Sequence, residues 1–304
     1  MPTPRRLALL VTVVAALLVP APAGAHVRTG SVAVTYRVGV EHVPRFVSAR
    51  VYPGDRALRV TAAPGHTVVV LGYLGEPFFR IDPRGVTVIR ASPTAQSARL
   101  KLRSSGRSVI WHDARLGDLG PNVRRGRWTI GLVVDGRPTR LSGTIERVPV
   151  PSSWPWIALG VPFVAAAVVA LRRRRAIEPA ALVLGALIGA AIAATAAGFA
   201  FDANASEGRW VEAGNEVVFA AVALVVLARG RAETRALAAG ALGLLGLAVG
   251  ATKIPVFTHG VVLSLLPADV ARAAVAVMLW SSAAAATVGA AVFARTLDDE
   301  PESV

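Results

Sequence analysis

The stretch Trp154–Arg175, WPWIALGVPFVAAAVVALRRRR, decides the fold. From Trp154 to Leu171 it offers about eighteen uncharged, mostly apolar residues. That is close to the roughly twenty that a helix rising 1.5 Å per residue needs to cross a hydrocarbon core. Trp154 and Trp156 stand at its start, where an amphipathic ring prefers the headgroup level. Arg172–Arg175 close it, and such a cluster resists translocation and stays cytoplasmic. The reading that follows is an extracytoplasmic segment before this helix and a membrane domain after it.

Upstream, residues 1–25 have the three parts of a secretory signal peptide: Arg5-Arg6, the apolar run Leu7–Val19, and Ala23-Gly24-Ala25 as a cleavage site. Cleavage there makes His26 the first residue of the mature chain. Residues 26–150 read as an all-β extracytoplasmic domain. Val32, Val34, Tyr36, Val38 and Val40 alternate, as do Trp128, Ile130, Leu132 and Val134, the period of half-buried strands. His66–Tyr73 is short and rich in β-branched residues, as a fully buried strand is. Asp135-Gly136 is a hairpin turn signal leading into Thr139–Val148. Short strands punctuated by Pro and Gly predict a sandwich of immunoglobulin-like type. The Pro/Ser linker VPVPSS, Val148–Ser153, leaves it little slack above the membrane.

Downstream, residues 151–297 read as an all-α transmembrane domain of about five helices, with spans near 154–171, 180–201, 211–227, 236–251 and 271–293. Arginines concentrate on the inner side of this threading, which places the C-terminus and the acidic tail 298–304 in the cytoplasm. Ile254–Pro267 is apolar but short for a span, and is expected to lie in the interface or to dip in and return. The spacings Gly185-x-x-x-Gly189 and Gly246-x-x-x-Gly250 let helix backbones approach closely.

Composition agrees with a multi-pass cell-membrane protein. Hydrophobic residues make up 54% of the 304, and the net charge is +14. About +12 of that charge falls between His26 and Val150. A basic outward domain attracts anionic lipid or acidic wall polymer, and its outward position argues against nucleic acid. The absence of cysteine excludes disulfides, thiolate metal sites and cysteine nucleophiles. No G-x-S-x-G and no H-E-x-x-H occurs, so neither a hydrolase triad nor a zincin is indicated, and the chain reads as non-enzymatic.

Two sets of residues are candidates for chemistry. A mature N-terminal His26 offers its α-amino nitrogen and imidazole to one metal ion, and nitrogen ligands suit Cu(II). His42, His66, His112 and Asp113 are available to complete the set, without the spacing of a local motif. In the membrane, Glu212 and Glu216 share a helix face four residues apart, at the outer end of the third span. With Lys253 and His259 on the same side they form a candidate polar cluster, either a cation path or wet helix ends.

An A-x-A-His signal end, a small β-sandwich and then membrane helices resemble the arrangement of copper-resistance proteins of the CopC/CopD type. That resemblance implies Cu(II) binding by the mature N-terminal His and a later Asp/His pair. By position, His26 matches it here, while His112-Asp113 has the two residue types adjacent where that pattern separates them. Val68–Arg80 (VVVLGYLGEPFFR), Ser92-Pro93 and Trp111-His112-Asp113 are similar to segments of uncharacterised membrane proteins of high-GC bacteria. Those proteins continue the last segment as H-D-H-R, whereas this chain has Ala114. The resemblance implies a shared architecture without a known reaction. The function expected is an external ligand-binding module on a membrane anchor, with copper as candidate ligand. The alternative is a structural or assembly component that docks a partner protein through the β-sandwich.

Overall fold

Alternating apolar residues build the first half of the chain. The structure, a computed structural model, describes residues 31–97, 103–117, 119–201 and 210–298. The expected signal peptide, His26 and the tail beyond Asp298 lie outside the described residues. The first strands are β1 (Ala33–Val34), β2 (Tyr36–His42), β3 (Val47–Tyr52), β4 (Ala57–Ala62), β5 (Val68–Leu71) and β6 (Pro77–Asp82). After them come β7 (Gly85–Val88), a short helix α1 (Pro93–Ser97), β8 (Arg103–Ser104), β9 (Ser108–His112), β10 (Arg125–Val134) and β11 (Arg137–Arg147). One sheet has the order β2-β11-β10-β5-β6-β7-β8 and a second the order β3-β4-β9, antiparallel throughout. Trp128, Ile130, Leu132 and Val134 point into a core shared with Leu58, Val60 and Trp111 of the smaller sheet. The two sheets therefore bury one apolar interior between them, as period-2 strands require.

Local chemistry fixes the register of the long hairpin. Asp135 and Gly136 both have positive φ (48° and 79°), and Val134 faces Arg137 across the two-residue turn. Positive φ at both central positions is what makes Asp-Gly favourable there. A Cβ at Gly143 would collide with the Gly39 carbonyl and the Trp128 ring, so the bulge beside it depends on glycine.

The expected single strand Val32–Val40 is divided at Thr35. Only β2 joins the large sheet. β1 pairs instead with β12 (Val261–Val262), which lies between two membrane helices in sequence. Thr35 marks the parting, and its carbonyl accepts the Val148 N–H (2.8 Å).

The second half is helical: α2 (Trp154–Ala158), α3 (Val161–Arg172), α4 (Ile177–Ala200), α5 (Trp210–Arg229), α6 (Ala232–Ala251), α7 (Pro255–Thr258) and α8 (Ala268–Asp298). Among the described residues five stretches are long and apolar enough to cross a membrane: Trp154–Arg172, Arg174–Ala200, Trp210–Arg229, Thr234–Ala251 and Ala268–Ala294. The first is interrupted at Gly160, where a side chain would strike the Trp280 ring, and the Trp280 indole donates to the Trp156 carbonyl (2.9 Å). Gly185 and Gly189 seat Leu227 and Leu224 of α5, while Gly240 and Gly289 bring α6 and α8 into backbone contact. The stretch after α6 folds as α7 and β12.

The ribbon β1–β12 lies between the two halves. Ala33 faces Val262, and Val34 faces Val261. Val32, Ala33 and Val262 pack in the helical core, while Val34, Val261 and Leu263 pack in the β-sheet core. The Leu263 N–H donates to the Val32 carbonyl (2.9 Å), extending the ribbon by one bond. Buried Arg272 of α8 holds the return, donating to the carbonyls of Val256 (2.9 Å), His259 (3.4 Å) and Gly260 (3.3 Å). Leu263→Ala is expected to destabilise the β domain, although the residue belongs to the membrane half. The expected cost is about 2–5 kcal/mol, read as a lower unfolding temperature of β-domain tryptophan fluorescence.

Candidate functional site

Three separated segments of the β domain converge on one hydrogen-bonded network. The Glu76 carboxylate accepts from the Ser92 hydroxyl (2.7 Å), the Thr94 N–H (3.1 Å) and the Leu74 N–H (3.0 Å). It thereby ties the β5–β6 turn to the start of α1. The Thr94 hydroxyl in turn accepts the Tyr73 N–H (3.0 Å). The Tyr73 hydroxyl accepts the Ala114 N–H (2.9 Å), and the Arg115 guanidinium lies over its ring (4.7 Å). Arg115 reaches Asp113 through two side-chain bonds (2.9 and 2.7 Å), and the Trp111 indole donates to the same carboxylate (2.9 Å).

The electrostatics follow from these bonds. The Thr94 and Ser92 hydrogen bonds hold Glu76 down at about 2, from an ordinary 4.5. Burial works to raise Asp113, but the bond to Arg115, its charge and the Trp111 N–H together hold the carboxyl below its usual range. Burial pushes the Tyr73 hydroxyl up. Every one of these groups is held in a fixed protonation state near neutral pH, which suits a structural clasp better than acid/base work.

The candidate metal ligands are placed apart. Asp113 is buried, while His112 is exposed and its Nδ1 lies 2.6 Å from the Asp55 carbonyl oxygen. Successive residues leaving β9 point to opposite faces. His66 pairs with Asp135 (2.6 Å) and stacks on Phe46, and His42 is exposed at the end of β2. Among the described residues no three His, Asp or Glu side chains gather where they could hold a metal ion. A copper reading rests on His26, which lies outside the described residues.

In the helical half the polar residues divide. Lys253, just past the end of α6, is buried, and its ammonium lies 2.8 Å from the Glu216 carboxylate of α5. Glu212, one turn before Glu216, lines the same recess with Thr195 and Phe199 of α4. The recess has about 10 Å³ of free volume, room for about one water molecule. His259 stands elsewhere, its Nδ1 near the Thr258 hydroxyl (2.9 Å) and the Pro255 carbonyl (3.0 Å). Stranding a buried charge by removing its partner typically costs about 3–5 kcal/mol, so Lys253 and Glu216 fasten the ends of α5 and α6.

Tyr73, Arg115 and Arg272 are the structural participants that sequence reading missed. Asp113 was a usable signal, since an aspartate before a helical turn caps it, and its carboxylate accepts the Arg115 N–H (3.0 Å) at the start of the turn Ala114–Leu116. Nothing local marks Tyr73 or Arg272. Comparison with protein-family models, curated proteins and solved structures gives no match.

The depressed Glu76 carboxyl sets a sign for pH dependence. Its stabilisation is present above the unfolded-state value near 4.5 and is lost as pH falls toward about 2. Glu76→Gln is expected to flatten the fall in melting temperature over that window, measured by circular dichroism. An undiminished slope in the variant contradicts this assignment.

Proposed function

We propose that the chain is a non-catalytic component of the cell membrane. In this reading the β domain faces away from the cytoplasm and docks a partner protein, and the five helices anchor it. The observation that supports the reading is the β1–β12 ribbon. A domain joined through Val148–Ser153 alone would swing; a second attachment that shares side chains with both cores holds it in place. A partner bound to the β domain is then presented at a constant position over the helix ends.

The orientation rests on arginines. Arg172 ends α3 and Arg173–Arg175 follow it, at the end away from the connector to the β domain, and the positive-inside bias puts that end in the cytoplasm. The two-sheet domain then acts as an immunoglobulin-like module does, through its outer strands and loops. Its polar side chains are spent inward: Glu76, Tyr73, Asp113 and Arg115 bond to one another's segments.

Full-length protein in lipid nanodiscs is expected to purify with a second protein at fixed stoichiometry, seen by native mass spectrometry. Added Cu(II) should give the same weak electron paramagnetic resonance signal in wild type and His26→Ala. A partner-free preparation with one nitrogen-rich Cu(II) per chain, lost in His26→Ala, would overturn docking in favour of copper capture.

A further inference from the structure

The connector between the β domain and the first membrane helix has a recess at each end. At Val148–Val150 the recess is a cleft of about 480 Å³ whose lining includes Arg124, Arg125, Arg147 and Glu146. Arg147 is committed to the carbonyls of Leu119, Gly120 and Val123 (3.2–3.4 Å), and Arg125 stands 3.8 Å from Glu41. Arg124 and Arg125 are exposed, and three guanidiniums outnumber the one carboxylate of the lining. At Ser153–Ile157 the recess is an apolar groove of about 330 Å³, formed with Phe257, Leu279 and Trp280. Trp156 lines it, and the buried Trp156 indole N–H has no acceptor among the described residues. Buried indole N–H groups almost always have one.

The two recesses are close. Val150 and Ser153 are three residues apart, so the chain between them spans at most about 10 Å. The first membrane helix starts at Trp154, which sets the basic cleft at headgroup height and the groove alongside the upper acyl region.

We infer that the cleft and the groove form one site for an anionic phosphoglyceride of the surrounding bilayer, its phosphate against Arg124 and Arg125 and an acyl chain along the Trp156–Trp280 groove. The charge excess of the cleft selects the headgroup, and the aromatic groove accepts the tail. A small rotation of the Trp156 ring toward the groove gives its N–H a lipid ester carbonyl as acceptor. The site uses the ends of β10 and β11 beside the connector together with the helix ends, and needs no partner protein.

The test is native mass spectrometry of the full-length protein released from nanodiscs containing equal phosphatidylcholine and phosphatidylglycerol. One phosphatidylglycerol should be retained per chain, about tenfold over phosphatidylcholine. Arg124→Gln/Arg125→Gln should abolish that preference without changing the melting temperature. Trp156→Phe, which keeps an aromatic ring and removes the N–H, should lower retention of both lipids. Excess inorganic phosphate should leave the bound lipid in place. Equal retention of the two lipids by wild type overturns the proposal, as does a preference that survives the arginine changes. Displacement by phosphate, with phosphate adducts in place of lipid, assigns the cleft to a free anion and overturns it too.

Discussion

The structure depends on a ribbon of two short strands. An extended segment turns alternate side chains to opposite sides, and β1 and β12 use that property to serve two cores at once. Ala33 and Val262 face the helices, and Val34 and Val261 face the sheets. The interface between the halves is thus main-chain hydrogen bonding with apolar burial on both faces. Gly260 brings the return against Val148 and Pro149, where a side chain would not fit, so the ribbon and the connector are fastened to each other. The return in turn hangs on Arg272, whose buried guanidinium satisfies carbonyls at the end of α7 and has Asp269 as its counter-ion (3.1 Å).

Polar groups elsewhere follow the same economy. Lys253 and Glu216 are tolerated among apolar helices because each cancels the other's charge, and burial of either alone would be unfavourable. Asp113 is buried with Arg115 and the Trp111 indole around it, and Glu76 caps two turns of backbone at once. These groups tie sequence-distant segments together. Such fastening matters in a domain whose small sheet has three strands and contributes a limited apolar area of its own.

What was legible in the sequence follows from the range of the signal. The five helices are apolar runs with arginines near their ends, and each can be read within its own window. The β10–β11 hairpin is equally local, since Asp135-Gly136 and the alternation on either side sit within about twenty residues of one another. Glu212 and Glu216 share a helix face by spacing, and the structure adds Lys253 to Glu216 but leaves His259 with Thr258 and Pro255. The ribbon was not legible. Val32–Val40 alternates throughout, and nothing in that pattern reveals that Thr35 divides it between two sheets. Its partner, Val261–Val262, is two residues long and carries no period at all. Trp111-His112-Asp113 and Val68–Arg80 stand out in the sequence, yet their contact depends on the Tyr73 hydroxyl and on Thr94, whose roles arise only when distant segments of the fold meet.

The most direct measurement is a distance distribution between the two halves. The chain has no cysteine, so nitroxide labels at Ser48→Cys on β3 and Leu187→Cys on α4 are site-specific without further change. Double electron–electron resonance in nanodiscs should give one narrow distribution, which broadens when Val262→Pro removes the ribbon pairing. A broad distribution in the chain with an intact ribbon, matching that of the proline variant, would contradict the account.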